Sequence, residues 1–162
     1  MKRPDAPALR LRDEQETDLP FLAALYASTR QDELAQTGWS AAEQDAFLAM
    51  QFRAQREFYL KHFASDRFQI VIAGEEPIGR LYVGRWPQET RVIDIALLPA
   101  WRGRGIGARL MREVMDDARL RNVPVRIHVE TFNPAQRLYA RLGFMPIEDK
   151  GVYQLMEWRD VR

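Results

Sequence analysis

The spacing of apolar and polar positions changes period along the chain, and each change marks a new element. Leu9 and Leu11 alternate with Arg10 and Arg12, the two-residue period of a half-buried strand. Thr17 and Asp18 can each cap a helix, and Leu22, Leu25 and Tyr26 then recur on one helical face. A longer helix is predicted from Ser40, which stands at capping-box spacing from Glu43, with Phe47, Met50, Phe58 and Phe63 at roughly helical intervals. Residues 31–39 are then an exposed connection. From Asp66 onward the period is that of strands: 68–73, then 78–86 after a turn at 74–77, then 90–98, an antiparallel meander.

The stretch Val92-Ile93-Asp94-Ile95-Ala96-Leu97-Leu98 is almost continuously apolar, which predicts a strand covered on both faces. A helix over about 105–121 follows. Leu110, Met111, Val114, Met115 and Ala118 fall on one side of it, and Arg109, Arg112, Glu113, Asp116 and Asp117 on the other. Asn122-Val123-Pro124 ends that helix, and residues 125–130 alternate so that Arg126, His128 and Glu130 share the polar face of a strand. Residues 91–130 thus form a β-α-β unit whose strands are parallel, with a right-handed crossover. A short helix over 134–142, an exit at Gly143-Phe144 and a last strand over 152–158 complete the chain.

Composition narrows the function. A length of 162 residues suits a single domain over 1–162, and 46% apolar residues supply its core. Lys plus Arg is 24 against 23 for Asp plus Glu, a net charge of +1, so no overall field exists to hold nucleic acid or a membrane surface. The absence of cysteine removes disulfides, thiolate metal sites and thiol nucleophiles. No apolar run approaches the ~18 residues of a membrane span, and Met1-Lys2-Arg3-Pro4-Asp5 lacks the apolar core of a secretion signal. The expectation is a soluble cytoplasmic protein.

The chemistry concentrates in Pro99-Ala100-Trp101-Arg102-Gly103-Arg104-Gly105-Ile106-Gly107, between an apolar strand and an amphipathic helix. Three alternate glycines allow positive φ and close approach of backbone N–H groups to a ligand, and the positive end of the helix dipole favours an anion. Arg102 and Arg104 add donors suited to phosphate. Gly103, Gly105 and Ala108 also satisfy the dinucleotide fingerprint, with Glu130 where a ribose-binding acid would stand. A doubly wound fold, however, needs further βαβ units than the roughly 30 remaining residues can build.

These residues resemble the acetyl-CoA signature of the GCN5-related N-acetyltransferases, Arg/Gln-x-x-Gly-x-Gly/Ala, which Arg102, Gly105 and Gly107 meet. Asn133, Ala135, Tyr139, Gly143 and Phe144 match a second signature of that family. The resemblance implies an α/β (α+β) fold with a central, mixed and mostly antiparallel sheet, a splayed parallel pair bridged by a helix, and helices on both faces. It implies acetyl-CoA as co-substrate, its diphosphate on Arg102, Gly103, Arg104, Gly105, Ile106 and Gly107, its pantetheine along Leu97 and Leu98, and Asn133 beside it. Tyr139 would face the sulfur and protonate the departing thiolate; as a member of an apolar helical stripe it would instead be a core tyrosine.

An aliphatic amine with a pKa near ~10 must lose a proton before it attacks, so a base is needed. Asp94, the charge within the apolar strand, is one candidate, with an ion pair to Arg80 or Arg126 as its plain alternative. His128 is the other; by its distance before Asn133 it matches the Glu that ribosomal-protein N-terminal alanine acetyltransferases use. Arg91 stands where histone-type relatives often carry Glu, which argues against a histone-like arrangement. His62 lacks neighbours at ligand spacing, and no metal is expected.

The acceptor is read as a primary amine of a small molecule or peptide, with Asp32, Glu33 and Trp39 as features that could receive a cation. Homodimer formation is left open. A silent acyl-CoA-sensing module and a small dinucleotide-dependent oxidoreductase remain the rival functions.

Overall fold

The computed structural model describes residues 8–161; the reading of the first five residues as lacking a secretion signal lies outside them. In chain order the elements are β1 (Leu9–Asp13), α1 (Leu19–Ala35), α2 (Ala41–His62), β2 (Arg67–Ala73), β3 (Glu76–Arg85), β4 (Thr90–Leu97), α3 (Ile106–Arg121), β5 (Val125–Glu130), α4 (Ala135–Arg141), β6 (Met145–Asp149) and β7 (Tyr153–Trp158). Single 3-10 turns stand at Glu16–Asp18 and Pro99–Trp101. The strand order is β1-β2-β3-β4-β5-β7-β6. Strands β1 and β2, β5 and β7, and β6 and β7 pair antiparallel, while β4 and β5 are parallel and bridged by α3, the mixed arrangement expected. The chain divides into two compact units: 8–80 with Ala96–Trp101, and Leu81–Ile95 with 102–161.

In the first unit β1 runs against β2 from Leu9 opposite Ala73 to Asp13 opposite Gln69. Asp18 is buried, and every bond it accepts organises the start of α1: Arg12 Nη1 and Nη2 donate to its two oxygens at 2.8 and 2.7 Å, and the Gln15 N–H donates at 2.8 Å. The hydrogen bond from Arg12 holds the Asp18 carboxyl below the usual carboxylate range. Helix α1 continues to Ala35, so residues 31–35, expected as connection, are helical. Leu34, two turns beyond Tyr26 and equally buried, extends the apolar stripe and carries the helix with it.

The expected capping box is present at α2, with Ser40 Oγ accepting from the Glu43 N–H and Glu43 Oε1 accepting from the Ser40 N–H. The expected face of α2 is not. Met50 and Phe58 are more than half exposed, whereas Phe52 packs on Leu22, Ile70 and Ile72, with its ring 6.0 Å from that of Tyr26. Farther along α2, Arg56 pairs with Glu14 at 2.8 Å, and Gln55 Oε1 accepts from Arg80 Nη2 at 2.9 Å. The helix therefore docks through Phe52 and the stems and heads of polar residues.

Gly79 of β3 has a spatial reason to be glycine: a Cβ there would collide with the Ala96 carbonyl oxygen and the Leu97 side chain. Beside it the Leu98 N–H donates to the Ile78 carbonyl at 2.8 Å.

In the second unit Val125, Ile127 and Val129 are buried on β5, and the predicted face of α3, Leu110 to Ala118, is buried throughout. Asn122, at φ 56°, closes that helix in the left-handed conformation. Strand β6 had no counterpart in the sequence reading. All five of its residues are exposed, so it carries no alternation to detect, and Pro146 fits a strand at the end of the order. Strand β4 also departs from expectation: Thr90 and Val92 are buried, but Ile93 to Leu97 are only half-buried rather than covered on both faces.

Candidate active site

Positive φ at two glycines shapes the turn that leads into α3. Gly103 has φ 72° and Gly105 φ 80°, and open space surrounds both. Gly107 does not share this conformation; it is part of the helix, where an added Cβ would meet Leu138 at an ordinary 3.6 Å. The expectation of three left-handed glycines is thus corrected to two.

Gly105 opens α3 without a side-chain cap, and the first bond within the helix runs from the Arg109 N–H to the Gly105 carbonyl at 3.1 Å. The N–H groups of Ile106, Gly107 and Ala108 precede that bond and have no acceptor in the helix. Their dipoles point out of the N-terminus, where Arg102 and Arg104 are exposed and Ile106 is buried as an anchor.

The parallel register pairs Thr90 with Val125, Arg91 with Arg126 and Val92 with Ile127, and goes no further although both strands continue. Asp94 and His128 each lie just beyond this point. Helix α4 is tied to the end of β5, because Gln136 Nε2 donates to the carbonyls of Glu130 (2.9 Å) and Thr131 (2.8 Å). Asn133 Oδ1 accepts from the Ala135 N–H at 2.9 Å, so this side chain shapes the start of α4. At the other end the Phe144 N–H donates to the Tyr139 carbonyl at 2.9 Å across Gly143, whose φ is 102°. This exit from the helix fixes the backbone of Tyr139.

Tyr139 itself is buried, with its ring 5.9 Å from that of Phe144, and among the described residues its hydroxyl has no hydrogen-bond partner. Burial, and then the charge of Asp94, push its pKa up to about 12. The phenol therefore keeps its proton far above neutrality, and the field of Asp94 acts on it.

His128 is placed differently. Its Nδ1 lies 3.3 Å from Arg91 Nη1 and its Nε2 3.1 Å from Lys150 Nζ. Partial burial, then Arg91 and Lys150, lower its pKa, with Glu148 and Glu89 opposing. Arg91 is held by Glu89 Oε2 at 2.9 Å and stacks 5.0 Å from the Trp86 ring. Arg126 pairs with Glu157 at 2.8 Å and Glu89 at 3.2 Å. Lys150 was missed by sequence reading because it follows the undetected strand β6.

The remaining site expectations fare unevenly. Leu97 and Leu98 belong to the first unit, and the Leu98 N–H is already engaged with Ile78. Asp32 and Glu33 are helical, Glu33 is paired with Arg30 at 3.0 Å, and Trp39 packs edge-on against Phe47. His62 lies 4.4 Å from the Phe58 ring. No helix among the described residues is long and apolar enough to cross a membrane.

Residues 22–144 match the family described as acetyltransferase (GNAT) family. The N-alpha-acetyltransferase RimI of Mycobacterium tuberculosis is 40% identical over 88 residues, 53% of each protein, so the chain spans about half the length of that curated relative. Among solved structures, the PaiA N-acetyltransferase of Thermoplasma acidophilum in complex with coenzyme A superposes with a TM-score of 0.72 at 16% identity, covering 94% of this chain and 99% of that one. Ard1 of Thermoplasma volcanium gives a TM-score of 0.62 at 18% identity, covering 96% and 99%. At such identities the structures attest the fold. Because the matched segment takes in both the glycine turn and the helix bearing Tyr139, and the fold agrees, the chain belongs to the GNAT family of acetyltransferases.

Proposed function

We propose that this protein transfers an acetyl group from acetyl-CoA directly to a primary amine of a small molecule or peptide in the cytoplasm. The observation that carries this reading is the uncapped start of α3. Three N–H groups, the helix dipole and two exposed arginines suit a diphosphate, and the two left-handed glycines leave room for one. In this reading Arg102, Gly103, Arg104, Gly105, Ile106 and Gly107 hold the diphosphate. Asn133 acts by setting the start of α4. Acetyl-CoA supplies the activated acetyl group and a thiolate leaving group.

Asp94 takes the proton from the amine nitrogen, and Tyr139 delivers its phenolic proton to the sulfur. A pKa of about 12 keeps Tyr139 protonated until that moment. Giving the proton to an ordinary thiolate, with a thiol pKa of ~8.5, would be uphill. Two effects narrow the gap. Burial raises the thiol as it raises the phenol, and once Asp94 carries a proton, the negative charge that restrains Tyr139 is gone. His128 is the other candidate base, although burial, and then Arg91 and Lys150, work against a proton on its ring.

The sheet bears against the dinucleotide rival, since the turn serves the parallel pair β4 and β5 in a sheet whose β1–β2, β5–β7 and β6–β7 pairings are antiparallel, rather than a doubly wound fold. Calorimetry and thermal shift with acetyl-CoA and NADH test the choice directly, and thiol release with a panel of amines follows. Acetyl-CoA is expected to bind and stabilise, NADH is not. No stabilisation by acetyl-CoA at millimolar concentration ends the reading, and binding without release to any amine favours the silent module.

A further inference from the structure

His128 lies on the exposed side of β5, and the protein groups that touch its ring are both cations. A neutral imidazole has one N–H and one lone pair, and neither guanidinium nor ammonium can accept a hydrogen bond. With Arg91 on one ring nitrogen and Lys150 on the other, the lone pair satisfies one cation while the ring N–H faces the second. Protonating the ring replaces that conflict with three adjacent positive charges. Water can accept from these exposed donors, but only an anion both accepts from them and offsets their charge.

The nearby carboxylates do not supply it. Glu89 accepts from Arg91 Nε and Arg126 Nη1, and Glu157 from Arg126 and Arg159. Glu148 and Glu89 reach the ring only through their field. Among the described residues the Lys150 ammonium has no carboxylate partner, while its backbone is fixed by a bond from its N–H to the Tyr153 carbonyl at 2.8 Å. Arg91 is pre-set by Glu89 and Trp86. The cluster is also local, since the whole chain carries only +1. It sits where the pairing of β4 with β5 stops, one residue past Ile127.

We propose that Arg91, His128 and Lys150 form a receptor for a carboxylate carried by the amine acceptor, so that the preferred acceptors are amines with a carboxylate within reach. The proposal rests on the acetyl-transfer reading for the word acceptor, and the receptor itself is testable without turnover. The proposed function places the diphosphate of the co-substrate at the turn before α3, and the acceptor is taken here as the source of this anion.

Only two histidines are present, so their ring protons can be followed by NMR across a pH titration, with His62 as internal reference. N-acetylglycine, a carboxylate that cannot be acetylated, is expected to raise the His128 midpoint by about 0.5 unit or more, while N-acetylglycinamide leaves it unchanged. Lys150→Met and Arg91→Gln should each raise the midpoint of the free protein and abolish the response. Absence of a response to N-acetylglycine at concentrations up to ~100 mM overturns the proposal, and so does an equal response to coenzyme A alone, which would assign the anion to the co-substrate. In turnover, Lys150→Met should lower kcat/KM about tenfold for an amino acid but not for its amide, with KM for acetyl-CoA unchanged. Failure of every amine to release thiol would sink acetyl transfer while leaving the titration to decide the receptor.

Discussion

Helices α2 and α3 begin in opposite ways. At α2 the protein answers its own N–H groups, with Ser40 and Glu43 bonded reciprocally. At α3 it places a left-handed glycine and no cap, and leaves three N–H groups facing outward. The same contrast separates two buried polar side chains. Asp18 accepts three hydrogen bonds, whereas the Tyr139 hydroxyl has none among the described residues. Internal satisfaction marks Ser40 and Asp18 as groups that build the fold, and the proposed function uses the groups that lack it at α3 and Tyr139.

The contrast can be broken at each of its four members, and the largest effect is expected at Tyr139. Tyr139→Phe should lower kcat by ~10²–10⁴ with acetyl-CoA affinity nearly unchanged, as measured by steady-state kinetics beside calorimetry. An unaltered kcat would return Tyr139 to the core. Gly105→Val comes next. A β-branched residue resists φ 80° and fills the open space beside the turn, so KM for acetyl-CoA should rise by ~10-fold or more while circular dichroism stays native.

Ser40→Ala is the complementary test. It should cost about 1 kcal/mol in denaturant unfolding and leave KM for acetyl-CoA where it was. A KM effect there would erase the distinction between the two helix starts. The smallest effect concerns pH. The folded pKa of Asp18 lies below its unfolded value, so its contribution is present above about pH 4 and lost as pH falls through the folded value. The Tm gap between wild type and Asp18→Asn should therefore close as pH drops below about 4; a constant gap would detach Arg12 from that stability.

What could be read in the sequence follows from how strongly burial patterned it. Helix α3 and strand β5 were legible because every second or third residue faces a core, from Leu110 to Ala118 and from Val125 to Val129. Strand β6 was silent because none of its residues is buried, and Lys150 went unseen with it. In α2 the large side chains misled: Met50 and Phe58 suggested a face that solvent occupies, while the true contact uses Phe52, Gln55 and Arg56. In the candidate site, residue type and context singled out the glycine turn, Asp94 and Tyr139 as candidates. The field that Asp94 exerts on Tyr139, and the two cations on His128, depend on neighbours that only the folded chain brings near.

Gly79 carries a consequence for how this chain can vary. Its missing methyl is the clearance that lets Ala96 and Leu97 lie where they do, so even alanine forces neighbouring backbone to move. A saturation library should therefore find position 79 nearly intolerant, and the few survivors should carry second-site changes at Ala96 or Leu97 that restore the lost gap.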